Sequence, residues 1–296
     1  MVDKSTGTFF SLRLFFLTFW QIFVVFFLLT SSVTAAAQKP FAFAVSAMTS
    51  PATTFKHFTE FRDYLAAKLG QPVLLKQRRT YAEINQLLKD DEVSMAFTCT
   101  GGFLDGRRAF GLEVLVTPIV KGATTYQSYV IVPKNHSAKT MADLRGSVFA
   151  FTDPLSLTGR IYPTATINTM GFKTKDFFKK TFYTASHDKS ITAVARGIAD
   201  AAAVDSLIFD SNMKIAGSDA HQVKVIHTSP LFGMPPIVVS PDLRKEKKRL
   251  LLKVLLNMAE DAEGEKILDA LEMDGFALPD PSMYRSALVL INQITE

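Results

Sequence analysis

After residue 40, short apolar segments alternate regularly with amphipathic segments, and this alternation most constrains the fold. Apolar runs typical of buried strands occur at Phe41–Ser46, Val73–Lys76, Val93–Phe97, Leu112–Val120, Tyr126–Val132, Val148–Phe151, Ala201–Val204, Val223–His227 and Ile237–Ser240. Between them, apolar residues at spacings of three and four predict helices, as in Phe55–Leu69. The pattern predicts an α/β fold with largely parallel sheets. The absence of a long linker predicts two lobes joined by crossing segments.

The first 37 residues have the pattern of a signal peptide. Lys4 and Arg13 supply positive charge, and Leu14–Leu29 is almost wholly apolar. Ala35 and Ala37 fit the small-residue rule for a cleavage site. We therefore expect residues 1–37 to be removed, giving an exported, periplasmic protein. The alternative is an uncleaved anchor, because Phe9–Leu29 approaches the roughly 20 residues that span a bilayer.

Composition excludes several classes of protein. Of 296 residues, 48% are hydrophobic and 21% are charged, so the chain can bury a sizeable core and is not intrinsically disordered. The single cysteine, Cys99, excludes an intrachain disulfide and a cysteine-rich zinc site. The net charge of +5 is mild and predicts no nucleic-acid partner.

Sequence motifs of common enzymes and cofactor sites are absent. There is no G-x-S-x-G, H-E-x-x-H or G-x-G-x-x-G motif. Gly101 and Gly106 have the spacing of a phosphate-binding loop, but Arg107 and Arg108 replace its lysine and its hydroxyl residue. The five histidines show no metal-ligand spacing on one helix. We expect no catalytic residues, no metal site and no cofactor.

The segment Asp153–Gly159 leads from a predicted strand through a turn into a predicted helix. Ser156 and Thr158 place two hydroxyls beside the free backbone N–H groups of that helix start. Such a terminus can bind an anion. Ser and Thr at this position also serve as simple helix caps, and the two roles are compatible in adjacent residues.

A second segment of interest begins at Ser186. His187 falls in the first turn of a predicted helix that ends at Gly197, and a short buried strand and Asp205 follow. A histidine there can bind a ligand or can simply belong to the core or the surface.

Taken together, these motifs resemble the substrate-binding proteins of phosphonate, phosphite and phosphate ABC transporters. The resemblance extends over about Phe41–Leu278 and is specific only in combination. It is carried by D-P-x-S-x-[ST]-G at Asp153–Gly159, the run from Ser186 to Ala202, Tyr81, Ser94–Phe97, Tyr126–Tyr129 and Asp143–Gly146.

The resemblance implies a type II periplasmic binding fold, in which two α/β lobes close on a ligand. By this resemblance, lobe 1 comprises residues 38–133 and 235–296, and lobe 2 comprises residues 134–234. The ligand-binding candidates are Tyr81, Thr98, Tyr126, Ser156, Leu157 (through its N–H), Thr158 and His187. Tyr81 could instead be an aromatic residue packed at a helix start.

Two departures from the family pattern bear on the ligand. Thr98 stands where some relatives have tyrosine. In aminophosphonate-binding relatives acidic residues hold the ligand amine, whereas this chain has Leu207 and Pro235 at those places, with Asp205 nearby. The resemblance therefore implies phosphate, phosphite or a small phosphonate without an amine, and Asp205 is a further candidate.

The resulting hypothesis is an exported protein that captures a small phosphorus oxyanion for an ABC permease. One alternative is a sensory or membrane-tethered module of the same fold that feeds a signalling partner. An exported enzyme on this scaffold is a third possibility, but the sequence offers no nucleophile–base pair for it.

N-terminal sequencing tests the signal-peptide prediction. Protein recovered from the native cell envelope should begin at Gln38 or within a residue or two of it, because the Ala35 and Ala37 side chains fit the peptidase. A full-length species that resists carbonate extraction from membranes would support the anchor instead.

Overall fold

The computed structural model describes residues 40–46 and 51–295, with the side chains of 51–57 and 295 excepted. The expected signal peptide lies outside the described residues. Thirteen strands occur in the described part of the chain. They are β1 (Phe41–Ser46), β2 (Val73–Arg78), β3 (Met95–Phe97), β4 (Glu113–Ile119), β5 (Thr125–Tyr126), β6 (Ser128–Pro133), β7 (Val148–Phe151), β8 (Lys180–Tyr183), β9 (Ala201–Asp205), β10 (Val223–Thr228), β11 (Phe232–Gly233), β12 (Ile237–Val239) and β13 (Gly275–Ala277).

The same part of the chain contains ten α-helices. They are α1 (Pro51–Leu69), α2 (Tyr81–Lys89), α3 (Thr100–Phe110), α4 (Tyr162–Thr169), α5 (Thr174–Phe177), α6 (His187–Ala195), α7 (Ser206–Lys214), α8 (Lys245–Leu256), α9 (Ala262–Ala270) and α10 (Arg285–Thr295). A π-helical turn, Leu157–Ile161, leads directly into α4. A capping box begins α2, where the Thr80 side chain accepts from the Glu83 N–H and the Glu83 side chain accepts from the Thr80 N–H.

The strands form two larger sheets and one small one. The first sheet has the order β13-β4-β12-β3-β1-β2, and the second has the order β10-β6-β9-β7-β8. In the first sheet β2, β1 and β3 run parallel, and in the second β9, β7 and β8 do. β5 and β11 form a separate antiparallel pair where the chain passes between the two sheets. The fold is therefore mixed α/β, as expected.

The sheet membership of β6 differs from the expected lobe boundary. A boundary after Pro133 would leave β6 in lobe 1. However, β6 pairs with β9 along Ser128–Ile131 and with β10 on its other side. The chain therefore passes from one sheet to the other before Ser128. Gln127 interrupts the β-rich run that the sequence predicts as one strand, and the Gln127 backbone N–H donates to the Ser206 hydroxyl at 3.0 Å.

Each sheet has its own aromatic core. In the first, the Phe43 ring packs on Phe58 and Phe61 at centroid distances of 5.9 and 5.4 Å. In the second, Phe149 and Phe178 stack at 4.4 Å. Burying large aromatic side chains on both sheets gives each a hydrophobic face, which holds the loops at the strand ends in fixed positions.

Candidate functional site

The candidate residues lie at the ends of strands from both larger sheets. Thr98 follows β3, and its backbone N–H donates to the Pro236 carbonyl at 3.2 Å. Asp205 ends β9, and Ser156 follows β7 after a short turn. Side chains from both halves of the fold therefore converge on one region.

Asp153 joins these two halves. Its Oδ1 accepts from the Leu155 N–H at 2.7 Å, which shapes the turn after β7. Its Oδ2 accepts from the Tyr81 N–H at 3.3 Å, at the first residue of α2. The side chain is buried, and burial raises the pKa of this carboxyl above its ordinary value. One carboxylate thus links the start of α2 to the predicted anion-binding segment.

The start of α3 lies against the same segment. A Cβ atom on Gly101 would stand 2.0 Å from the Leu155 carbonyl oxygen and 3.1 Å from the Leu157 nitrogen. Only glycine permits this approach of two backbones. The N–H groups of Gly102, Leu157 and Gly101 surround the buried Cys99 sulfur. The N–H of Leu157, which the resemblance implies as a ligand-binding group, therefore lies near this thiol.

Ser156 has the capping role that the sequence left open. Its Oγ accepts from the Gly159 N–H at 3.0 Å and so caps the π-helical turn. Thr158 lies in the first turn and is 1% exposed, and its carbonyl accepts from the Ser128 hydroxyl at 2.7 Å. Ser128 is in register with Asp205 across β6 and β9. Ser128 therefore contacts both Thr158 and the end of β9, where Asp205 lies.

Three predicted side chains carry buried hydroxyls that make no hydrogen bond of normal geometry to any described residue. These are Tyr81 Oη, Thr98 Oγ1 and Tyr126 Oη. Thr98 and Tyr81 are neighbours, because a Cβ on Gly102 would touch Thr98 Oγ1 at 2.9 Å and Tyr81 Cβ at 3.1 Å. Burying an unpaired hydroxyl is unfavourable, so a cluster of them indicates a place for a polar ligand.

The same neighbouring groups act on the pKa of the Tyr81 hydroxyl and on that of the Tyr126 hydroxyl. Burial raises the pKa of both hydroxyls well above the ordinary value, and Asp205 and Cys99 act in the same direction on each. Both hydroxyls therefore keep their protons at neutral pH and are available as donors. The Thr100 hydroxyl lies beside Tyr126 but donates to the Gly233 carbonyl at 2.8 Å.

The tautomer of His187 follows from its contacts. Its Nδ1 accepts from the Asp205 backbone N–H at 3.1 Å and lies 3.2 Å from the Thr152 hydroxyl. With Nδ1 as acceptor, the proton of the neutral ring is on Nε2. Burial lowers the pKa of His187 to about 3, so the ring is neutral at physiological pH. His187 can then donate one hydrogen bond from Nε2 without carrying charge.

Asp205 is the buried carboxyl at the end of β9. It is 3% exposed, and its Oδ1 caps α7 by accepting from the Leu207 N–H at 2.8 Å. Burial raises the pKa of this carboxyl to about 7, and the neighbouring Asp210 adds to the rise. Near neutral pH a substantial fraction of the protein therefore carries a protonated Asp205, which can donate a hydrogen bond.

Sequence reasoning missed three contributors to this site. Helix α3 was not predicted, because its three glycines weaken the helical pattern. Asp153 was noted only as part of a motif, although it bridges the two halves. Ser186 has a buried Oγ without a described partner and makes no side-chain cap at the start of α6. Its position immediately before His187 was the available signal.

The described residues offer neither a metal site nor a membrane-spanning helix. No group of three or more His, Cys, Asp or Glu side chains there could hold a metal ion. None of the helices in the described ranges is long and apolar enough to cross a membrane.

The buried Asp205 predicts a pH-dependent stability difference. Between about pH 4 and 7 the unfolded carboxyl ionises while the folded one keeps its proton, so stability falls as pH rises through this window and levels off above it. Asp205→Asn retains a capping oxygen and cannot ionise. Urea unfolding should therefore show the variant gaining on the wild type between pH 5 and pH 8, by on the order of 2–4 kcal/mol.

Asp269→Asn, at an exposed position, is the matched control and should show a constant difference across the same pH range. An Asp205→Asn difference that does not change with pH would contradict the assignment.

Comparison with known proteins shows the family of the chain. A family model described as "ABC transporter, phosphonate, periplasmic substrate-binding protein" matches residues 43–284. The phosphonates-binding periplasmic protein of Escherichia coli K12 is 25% identical over 260 residues, covering 86% of this chain and 77% of that protein. A probable phosphite-binding protein of Prochlorococcus marinus, PhnD1, is 24% identical over 173 residues, covering 54% and 58%.

Solved structures show the same fold. The methylphosphonate complex of Prochlorococcus marinus PhnD1 superposes with a TM-score of 0.79 at 19% identity, covering 87% of this chain and 98% of that one. A binding-protein component of a phosphonate transporter from Pseudomonas aeruginosa gives 0.80 at 23% identity, with 86% of each chain covered.

The family match confirms four expectations: the family itself, the two-lobed α/β fold, the periplasmic location and a role other than catalysis. This chain belongs to the periplasmic substrate-binding proteins of phosphonate ABC transporters.

Proposed function

We propose that this protein captures a phosphorus oxyanion without an amine, such as phosphate, phosphite or a small phosphonate, and delivers it to an ABC permease. The observation that carries the proposal is the cluster of buried hydroxyls without described partners at Tyr81, Thr98 and Tyr126. A tetrahedral oxyanion needs several donors, and these hydroxyls offer three within one enclosed region.

Neutral groups complete the proposed donor set. His187 Nε2 donates from an uncharged ring, and Thr158, in the first turn of the π-helical segment, offers its hydroxyl and its N–H group. Hydrogen bonds to a charged group contribute roughly 1.5–3 kcal/mol each. Four or five of them support micromolar binding after the cost of association. The methylphosphonate complex of the Prochlorococcus relative supports the same ligand class.

A division into lobes follows from the sheets. We assign residues 40–124 and 234–295 to the lobe of the first sheet and 127–231 to that of the second, with β5 and β11 as the crossing pair. The oxyanion would then be bound between the lobes. A permease partner follows from membership of a transporter family.

Discrimination against an amine tests the ligand assignment. The family resemblance implies that Leu207 and Pro235 stand where aminophosphonate-binding relatives have acidic residues, so neither position offers a carboxylate to a desolvated cationic tail. Phosphate, phosphite or methylphosphonate should bind at least about tenfold more tightly than 2-aminoethylphosphonate, equivalent to roughly 1.4 kcal/mol. Calorimetry of the mature protein measures this.

Ethylphosphonate is the matched control ligand, since it differs from 2-aminoethylphosphonate only in the amine. Tighter binding of the aminophosphonate would refute the prediction, and Asp205→Asn would show whether that carboxylate is responsible.

A pair of tyrosine variants tests the site itself. Tyr81→Phe removes a hydroxyl with no described partner, so the ligand-free protein should lose no stability. Its affinity for methylphosphonate should fall about tenfold or more, as expected for the loss of a bond to a charged group. Calorimetry and thermal unfolding report the two effects separately.

Tyr284→Phe is the matched control. The Tyr284 hydroxyl donates to the Met234 carbonyl at 3.1 Å and lies 3.2 Å from the Thr117 hydroxyl. Its loss should destabilise the protein by about 1 kcal/mol and leave affinity almost unchanged. Unchanged affinity in Tyr81→Phe would remove Tyr81 from the site.

A further inference from the structure

A strongly basic segment surrounds the start of α8. Residues 242–253 contain six cationic and two acidic side chains, so this segment has a net charge of +4 in a chain whose total is +5. The charges of the rest of the chain nearly cancel. We call the six cationic residues the basic patch; they are Arg244, Lys245, Lys247, Lys248, Arg249 and Lys253.

The spacing of the helix arranges half of the basic patch as a stripe. Lys245, Arg249 and Lys253 stand four residues apart on α8, so their side chains are neighbours on one face. All three are exposed, whereas Leu251 and Leu255 face the core. None of the three cations forms an ion pair with a described residue. The stripe therefore presents a row of positive charge to solvent.

The energetics of the helix do not favour this arrangement. The start of a helix is its positive end, so cations are unfavourable there, and like charges four residues apart repel each other. Lys245 and Lys247 nevertheless lie in the first turn of α8, with one acidic residue, Glu246. Burial lowers the pKa of Lys247, and the charge of Arg244 lowers it further. Charges placed against these local effects indicate an external surface that neutralises them.

The basic patch lies at the end of the first sheet that is opposite the hydroxyl cluster. Ser240, shortly before α8, donates its N–H to the Ser94 carbonyl at 3.0 Å, and the Ser94 N–H donates to the Ala42 carbonyl at 3.1 Å. These bonds lie where β1 and β3 begin, whereas Thr98 follows the other end of β3. A surface bound at the basic patch therefore leaves the candidate oxyanion site accessible.

The chain enters the sheet from its N-terminal segment at the same end. Lys247 Nζ lies 5.7 Å from the centroid of the Phe41 ring, at the first residue of β1. Eleven residues separate Phe41 from the apolar run Leu14–Leu29. They span at most about 40 Å when fully extended. A membrane that holds the apolar run, during export or as an anchor, therefore lies within reach of the basic patch.

An exposed leucine favours a lipid surface over an acidic protein surface. Leu250 is 38% exposed and stands three residues before Lys253, so the two side chains are neighbours on α8. Helices that lie on anionic membranes combine basic residues with apolar side chains that reach the acyl boundary. An acidic protein surface would bind the cations alone.

We propose that the basic patch binds an anionic phospholipid surface, so that the protein lies on a membrane with its candidate oxyanion site open to solvent. Anionic headgroups would neutralise the stripe, and each basic residue near such a surface contributes roughly fivefold in affinity. This interaction is separate from ligand capture and does not rest on the proposed function.

Flotation with lipid vesicles tests the proposal. At about 0.05 M sodium chloride the mature protein should bind vesicles of phosphatidylcholine containing about one-third phosphatidylglycerol, and should not bind phosphatidylcholine alone. Raising the salt to about 0.5 M should release it, because the charges are then screened. Equal binding to both vesicles, or binding to neither, would overturn the proposal; in the second case an acidic protein remains as the partner.

A variant without the stripe locates the interaction. Lys245→Gln/Arg249→Gln/Lys253→Gln should weaken binding to the anionic vesicles at least tenfold. Its thermal stability should not fall, because repulsion along α8 is relieved. Arg249→Gln alone should weaken vesicle binding about fivefold and decides the outcome if the triple variant does not fold. Unchanged vesicle binding in these variants would refute the assignment to the stripe.

Lys175→Gln/Lys179→Gln/Lys180→Gln is the matched control. It removes the same charge from exposed positions next to the second sheet and should leave vesicle binding within about threefold. An equal loss in the control would show that net charge rather than the basic patch governs binding, and the proposal would fail. Affinity for methylphosphonate, measured by calorimetry, should be the same in the stripe variant and the wild type. A loss of that affinity in the stripe variant would contradict the separation of the two surfaces.

Discussion

The carboxylate of Asp153 is the constraint on which the site depends. It accepts hydrogen bonds from the N–H of Leu155, two residues along the chain, and from the N–H of Tyr81, 72 residues away. The first bond sets the turn that presents Ser156 and Thr158, and the second brings the start of α2 to that turn. The backbone contact at Gly101 completes the junction, because a larger residue would hold α3 away from Leu155. The hydroxyl cluster exists because these two contacts bring the two halves of the fold together.

The cluster would hold an anion without any lysine or arginine among its eight candidate residues. Its donors are hydroxyls, backbone N–H groups and a neutral imidazole, and it also contains a buried carboxyl, Asp205. A fully ionised carboxylate beside an oxyanion would be repulsive. Burial raises the pKa of Asp205 to about 7, which reduces that repulsion and lets the protonated form donate. Net charge on the protein surface then affects the rate of capture more than the recognition itself.

Much of the fold could be predicted from the sequence because its local signals agree with its packing. The capping box at Thr80 and the apolar spacing within Phe58–Leu69 correspond to the observed α2 and α1. The misses have physical causes. Helix α3 contains Gly101, Gly102 and Gly106, which lower helix propensity, and its formation depends on tertiary contact with the Leu155 turn. The sheet to which β6 belongs is set by its long-range pairing with β9 and β10, which local patterns do not encode.

The site likewise contains residues that local sequence signals predict and residues that they do not. Its polar end is carried by residues that local motifs single out, such as Ser156 and His187, because capping and helix starts leave a readable pattern. Asp153 and Gly101 instead make contacts between elements that are distant in the sequence, and no local motif marks those contacts. The candidate residues for the oxyanion are therefore visible in the sequence, whereas the contacts that bring them together become visible only once the chain is folded.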